Sequence, residues 1–197
     1  MSASRNAAEG ATDPSDETLV SKVKAGDRDA FSALVTRHER RLYNLAYRML
    51  GRPEDARDAV QDAFLSCYRR IDTFRGDATF STWMHRITVN ACYDLLRKHV
   101  PEPVDPLDLP EASGRDPAEA ASAGADVHRA IQAIPEEFRA ALVLHDLLDV
   151  PVEEVANTLG VPVGTVKSRL HRARAHLGRA LGAEPTPLPA PSKPPVP

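Results

Sequence analysis

The strongest constraint on the fold is a stretch that no regular element can cross. From Val100 to Gly124 the chain carries Pro101, Pro103, Pro106, Pro110 and Pro117 among small and acidic residues. Each proline lacks an amide donor and biases its predecessor away from helical angles, so neither a helix nor a strand ladder propagates through it. The charged residues from Pro101 to Asp126 are Glu102, Asp105, Asp108, Glu111, Arg115, Asp116, Glu119 and Asp126. Such an acidic run repels itself and extends. Residues 100–125 are therefore expected to form a flexible tether. It divides the 197 residues into two units, each small enough to hold only a small core.

Both units read as helical, and strand patterns are nearly absent. A short helix is expected from Ser15 or Asp16 to Gly26. A second runs from Asp27 to Leu50, with Phe31, Leu34, Val35, Leu42, Leu45, Ala46 and Met49 at helical spacing and Gly51 as its stop. Pro53 suits a first turn and opens a third helix to about Asp72; a fourth covers about Thr79 to Lys98. After the tether, helices are expected over Asp126–Ile134, Pro135–Leu148, Pro151–Leu159 and Pro162–Leu181. The fold class is all-α, with domains at 15–99 and 126–182. Residues 1–14 and the proline-rich end, 183–197, lack apolar periodicity and are expected to be disordered or extended.

No run of about eighteen apolar residues occurs, and Met1 to Gly10 is small and polar without an apolar core segment. The expectation is a cytoplasmic protein without membrane insertion. Cys67 and Cys92 fall in separate amphipathic helices and read as buried small hydrophobes rather than a disulfide.

A net charge of −3 hides strong segregation along the chain. Between Glu154 and Glu184 there is no carboxylate, while Lys167, Arg169, Arg172, Arg174 and Arg179 lie there with His171 and His176. Such a block suits a polyanion. In the same region a short helix with Val155, Ala156 and Leu159 meets a second carrying Val166 and Leu170 across Gly160. That is helix-turn-helix spacing, with a small residue for the close crossing and a glycine for the turn. Thr165, Lys167, Ser168, Arg169 and Arg172 are left facing outward, where side chains near a helix N-terminus reach base edges and the following arginines, including Arg174, reach phosphates. The run Pro162-Val-Gly-Thr-Val-Lys-Ser-Arg-Leu-His-Arg-Ala-Arg174 resembles region 4.2 of extracytoplasmic-function sigma factors, in the sigma-70 family. The resemblance implies recognition of the minus 35 promoter element by these residues. Response-regulator effector domains share a similar half motif, so this segment alone leaves a regulator that acts without polymerase in competition.

The first unit discriminates. Asp58, Gln61, Asp62 and Leu65 fall at i, i+3, i+4 and i+7, on one helical face. By position alone such a stripe reads as a solvated face. The segment Asp55 to Leu65 is similar to sigma region 2.2, and the resemblance makes the stripe, with Asp55 at its start, the docking face for the clamp helices of the RNA polymerase β′ subunit. Next, Phe80, Trp83, Met84, Ile87, Ala91 and Leu95 form an apolar stripe, which places Trp83 in the core, while Arg86, Asn90, Tyr93 and Arg97 share another face. A single-strand binder needs cations along the backbone path and a pocket or stacking surface for an unpaired base. Resemblance to regions 2.3 and 2.4 implies that the loop Phe74-Arg75-Gly76-Asp77, with Phe80 and Asn90, captures a flipped base of the minus 10 element, with Arg86 and Arg97 on phosphates. Lys98 and His99 lie at the end of that surface.

The resemblance covers residues 16–99 and 126–181, as a sigma region 2 bundle followed by a sigma region 4 helix-turn-helix. It implies core polymerase as partner, through the β′ clamp helices and the β flap, together with promoter DNA and an anti-sigma factor. It also implies that the tether passes through the polymerase's RNA path; a plain tether accounts for it equally. No nucleophile with a base, phosphate loop or metal constellation is visible, and the spacing of His85, Cys92 and His99 lacks the i, i+4 step of a helical metal pair. The expectation is therefore no enzyme, no metal, no cofactor and no small-molecule substrate.

Overall fold

The computed structural model describes residues 13–98 and 123–182. The expectations for residues 1–12, for most of the tether and for 183–197 lie outside the described residues. Among the described residues, eight α-helices run in order: α1 Asp16–Lys24, α2 Arg28–Leu50, α3 Pro53–Arg70, α4 Phe80–Lys98, α5 Ala123–Gln132, α6 Glu136–Leu142, α7 Val152–Leu159 and α8 Val163–Ala180. Among the described residues there is no strand, and no helix is long and apolar enough to cross a membrane.

Local chemistry fixes most of these boundaries. Ser15 accepts the Thr18 amide at the start of α1, and Asp27 accepts the amides of Asp29 and Ala30 at the start of α2. Gly51 ends α2 and Gly160 ends α7, both left-handed, at φ 81° and 65°. Three differences from the sequence reading stand out. Asp13 and Pro14, placed with the disordered start, are held by Arg37, which pairs with Asp13 at 2.6 Å and donates to the Pro14 carbonyl at 2.8 Å. Helix α5 begins at Ala123, inside the expected tether, because no proline lies between Pro117 and Pro135 and alanine is the best helix former. The helix expected to reach Leu148 is α-helical only to Leu142; it finishes in a wider π turn, Val143–Leu147, closed by Asp149 at φ 54°.

Helices α2, α3 and α4 pack together with α1 laid against α2. Ala56, Ala59 and Ala63 of α3 are fully buried, and their small side chains allow close helix approach. One apolar cluster holds Leu34, Leu42, Phe64, Phe80 and Met84. A second joins Leu45, Ala46, Met49, Val89 and Cys92 of the first unit to Ile131, Ile134, Leu142, Leu144, Val155, Val166 and Leu170 of the second. The two units expected on either side of the tether thus share a core.

Candidate nucleic-acid and partner interfaces

Three surfaces gather the residues singled out from the sequence. The first is the outer face of α3. Its alanines point inward, so Asp58, Gln61, Asp62 and Leu65 are all exposed, with Leu65 at 45%. Asp55, at the start, is partly covered and lies 3.7 Å from Arg52. Beside this face a shallow groove between α2 and α3 is lined by Phe31, Val35, Phe64, Leu65 and Tyr68, with Gln61 at its edge. The rings of Phe31 and Tyr68 meet at 4.9 Å.

The second surface is the loop before α4 and the outer face of that helix. Lys24 of α1 donates to the Phe74 carbonyl at 2.7 Å, and Thr79 accepts the Thr82 amide at 3.1 Å. These contacts clamp the loop at both ends. Between them Arg75, Gly76 and Asp77 stand exposed, with Gly76 at φ 82°. Arg86, Asn90 and Arg97 are exposed along α4, and Arg97 pairs with Asp94. Phe80 is fully buried, edge-on to His38 at 5.3 Å, and Phe74 is buried against Phe80 and Trp83. In this conformation neither phenylalanine offers a ring to an unpaired base; both support the loop from below.

The third surface is the N-terminal half of α8. The turn after α7 is closed by the Val161 amide donating to Ala156 O at 3.1 Å, and Val166, Leu170 and Ala173 are buried. Lys167, Ser168 and Arg172 are exposed, while Thr165 and Arg169 are half-buried. The Arg172 guanidinium lies 5.6 Å from the centre of the Phe138 ring, a cation–π placement that fixes a long side chain. Arg174 is different, because Asp146 takes it in a fork at 2.8 and 2.6 Å. That hydrogen-bonded pair, which outweighs partial burial, raises the Arg174 pKa. Asp146, Phe138 and the Thr82–Glu154 bond between α4 and α7, 2.6 Å, were missed from the sequence. Asp146 and Arg174 stand 28 residues apart, beyond any helical period, so no local pattern signals them.

The buried ionisable groups are poor chemical actors. Burial pushes the Cys67 and Cys92 thiols up to about 12, which leaves them protonated and unreactive. His85 is 2% exposed, and neither ring nitrogen has a hydrogen-bond partner. Burial first, then Arg41 and His38, pull its pKa down to about 4. No group of three or more metal-ligating side chains comes together among the described residues.

Comparison with known proteins matches the same segments. Residues 34–101 fit the family model described as Sigma-70 region 2, and residues 125–177 the one described as Sigma-70, region 4. The chain is 46% identical over 170 residues to the ECF RNA polymerase sigma factor SigM of Mycobacterium tuberculosis, over 85% of each chain. It is 35% identical over 173 residues to the ECF RNA polymerase sigma-E factor of Escherichia coli, over 81% of this chain and 90% of the relative. Among solved structures, CnrH in complex with the cytosolic domain of CnrY is similar at 28% identity and a TM-score of 0.67, over 85% of this chain and 97% of that one.

Proposed function

The chain belongs to the sigma-70 family, among the extracytoplasmic-function sigma factors that direct RNA polymerase to promoters, and from that premise we propose which of its surfaces meets which partner. Residues 15–99 form the unit that docks on core polymerase and opens the minus 10 element; residues 126–182 form the unit that reads the minus 35 element. The catalytic chemistry is the polymerase's.

The observation that carries this reading is the outer face of α3, where Asp58, Gln61, Asp62 and Leu65 stand together and exposed. An acidic stripe beside an apolar groove suits a basic helical partner, and we assign it, with Asp55 at its edge, to the β′ clamp helices. On the DNA side, Arg75, Gly76, Asp77 and Asn90 receive the displaced minus 10 strand. Arg86 and Arg97 follow its phosphates, and Phe74 and Phe80 hold the loop's shape. Thr165, Lys167, Ser168 and Arg169 enter the minus 35 major groove, and Arg172 lies on the backbone. Arg174 acts there from its ion pair with Asp146. The second unit also meets the β flap. An anti-sigma partner fits the reading, and the cytoplasm, where the polymerase works, is its place.

Charge reversal tests the docking face. Like charges placed across an interface cost several kcal/mol. The double variant Asp58→Lys, Asp62→Lys should therefore bind core polymerase at least about tenfold more weakly, with an unchanged helical circular dichroism spectrum. Retained affinity removes the α3 face from the account.

A further inference from the structure

Helix α1 grips the loop before α4 at two points. Its inner face, Leu19, Val20 and Val23, lies in the same apolar cluster as Ile71, Phe74 and Phe80. At its start Asp16 accepts Arg37 Nη1 at 2.7 Å and lies 2.9 Å from His38 Nε2, and the His38 ring stands edge-on to Phe80 at 5.3 Å. At its end Lys24 Nζ donates to the Phe74 carbonyl oxygen at 2.7 Å, across 50 residues of sequence. The helix precedes residues 34–101, the stretch that fits Sigma-70 region 2.

The Lys24 bond decides how the loop leaves the core. Phe74 is buried, and a backbone carbonyl shielded from water needs a donor from the protein. Its amide is already used, donating to Ile71 O at 3.1 Å. Because a peptide group is planar, fixing the Phe74 carbonyl also fixes the direction of the Arg75 amide, and with it the start of Arg75-Gly76-Asp77. Among the described residues those three make no backbone hydrogen bond of their own. At the far end the loop is held only locally, by Thr79 accepting the Thr82 amide at 3.1 Å. Lys24 is its long-range hold. Resting on the assignment of this loop to the minus 10 strand, we infer that Lys24 is a positioning residue for base capture. It makes no contact with DNA and acts through the Phe74 carbonyl, keeping Arg75, Gly76 and Asp77 in the shape that accepts a flipped base. Methionine in its place keeps an unbranched apolar stem and removes the donor.

The test uses the holoenzyme, this chain with core polymerase, on a promoter fragment that it transcribes, prepared with the minus 10 nontemplate strand unpaired. Each minus 10 base is replaced in turn by an abasic site, and affinities are compared for the wild type, Lys24→Met and Asp77→Ala. In the wild type one abasic position should weaken binding far more than the others. Lys24→Met should bind the intact fragment about tenfold more weakly, the scale of one hydrogen bond to a charged group. It should bind the fragment abasic at the captured position as well as the wild type does, so that the profile flattens. Its slope of log affinity against log salt should match the wild type's, whereas loss of a direct contact to a single-strand phosphate would reduce that slope by about 0.7. A reduced slope, affinity lost equally for every fragment, or a profile that Asp77→Ala flattens and Lys24→Met leaves intact overturns the positioning role and spares the loop assignment. A wild-type profile with no dominant position, or one that Asp77→Ala leaves unchanged, removes the loop assignment and the role of Lys24 with it.

Discussion

Two glycines and two cations show how similar residues carry different loads. Gly51 and Gly160 both sit left-handed, which costs any other residue about 1–2 kcal/mol. A Cβ at Gly160 meets nothing within 4 Å, but one at Gly51 comes within 2.8 Å of Gln132 Cδ. Gln132 cannot swing away without giving up its bonds to Arg48 and Arg139, each worth about 1 kcal/mol. Urea unfolding should therefore show Gly51→Ala costing roughly twice what Gly160→Ala costs; equal losses would mean that Gln132 is not held. Among the cations, Lys167 makes no ion pair among the described residues, while Arg174 is forked by Asp146. Each phosphate contact adds about 0.9 to the slope of log affinity against log salt. Lys167→Gln should remove about one such step from minus 35 binding, and Arg174→Gln clearly less. The outward placement of the polar candidate residues was legible because helical spacing sorts outward from inward positions: Asp58, Gln61, Asp62, Lys167 and Ser168 are all exposed. Phe80 was not, since an aromatic beside a loop has the same pattern whether it meets a base or the core.

Elements were the most legible scale. Caps at Ser15 and Asp27, stops at Gly51 and Gly160, and prolines at first turns place helix ends within a few residues, because each acts through its own backbone angles or side-chain bond. The π turn at Val143–Leu147 escaped, as its extra residue per turn is set by tertiary packing around Val143 and Leu144, both fully buried. Helix α4 carries a pH dependence invisible in sequence. His85 titrates near 4 in the fold and near 6.5 unfolded, so the unfolded chain binds the extra proton between those values. Stability from this residue is full above pH 6.5, falls as pH drops toward 4, and is lower by about 2 kcal/mol at pH 5 than at pH 7. The facing groups are Arg41 and His38, the latter 2.9 Å from Asp16. Denaturant titrations of wild type and His85→Leu should differ by this slope; parallel pH profiles would show that His85 does not feel its burial.

At the scale of the molecule, the sequence pointed to two units in the right order but not to their association. Val89, Cys92, Ile131 and Val155 occupy ordinary core positions of amphipathic helices, and periodicity does not say whether a buried face meets its own unit or the other. The proline-rich tether suggested independence, yet the same helices share one apolar cluster. What the whole chain does is tested most directly by in vitro transcription with cognate core polymerase on a pool of genomic promoter fragments. The account predicts specific transcripts that require both the core enzyme and this protein, and that are lost with Asp58→Lys, Asp62→Lys. Added protein that never yields specific initiation from any promoter in the pool would contradict it.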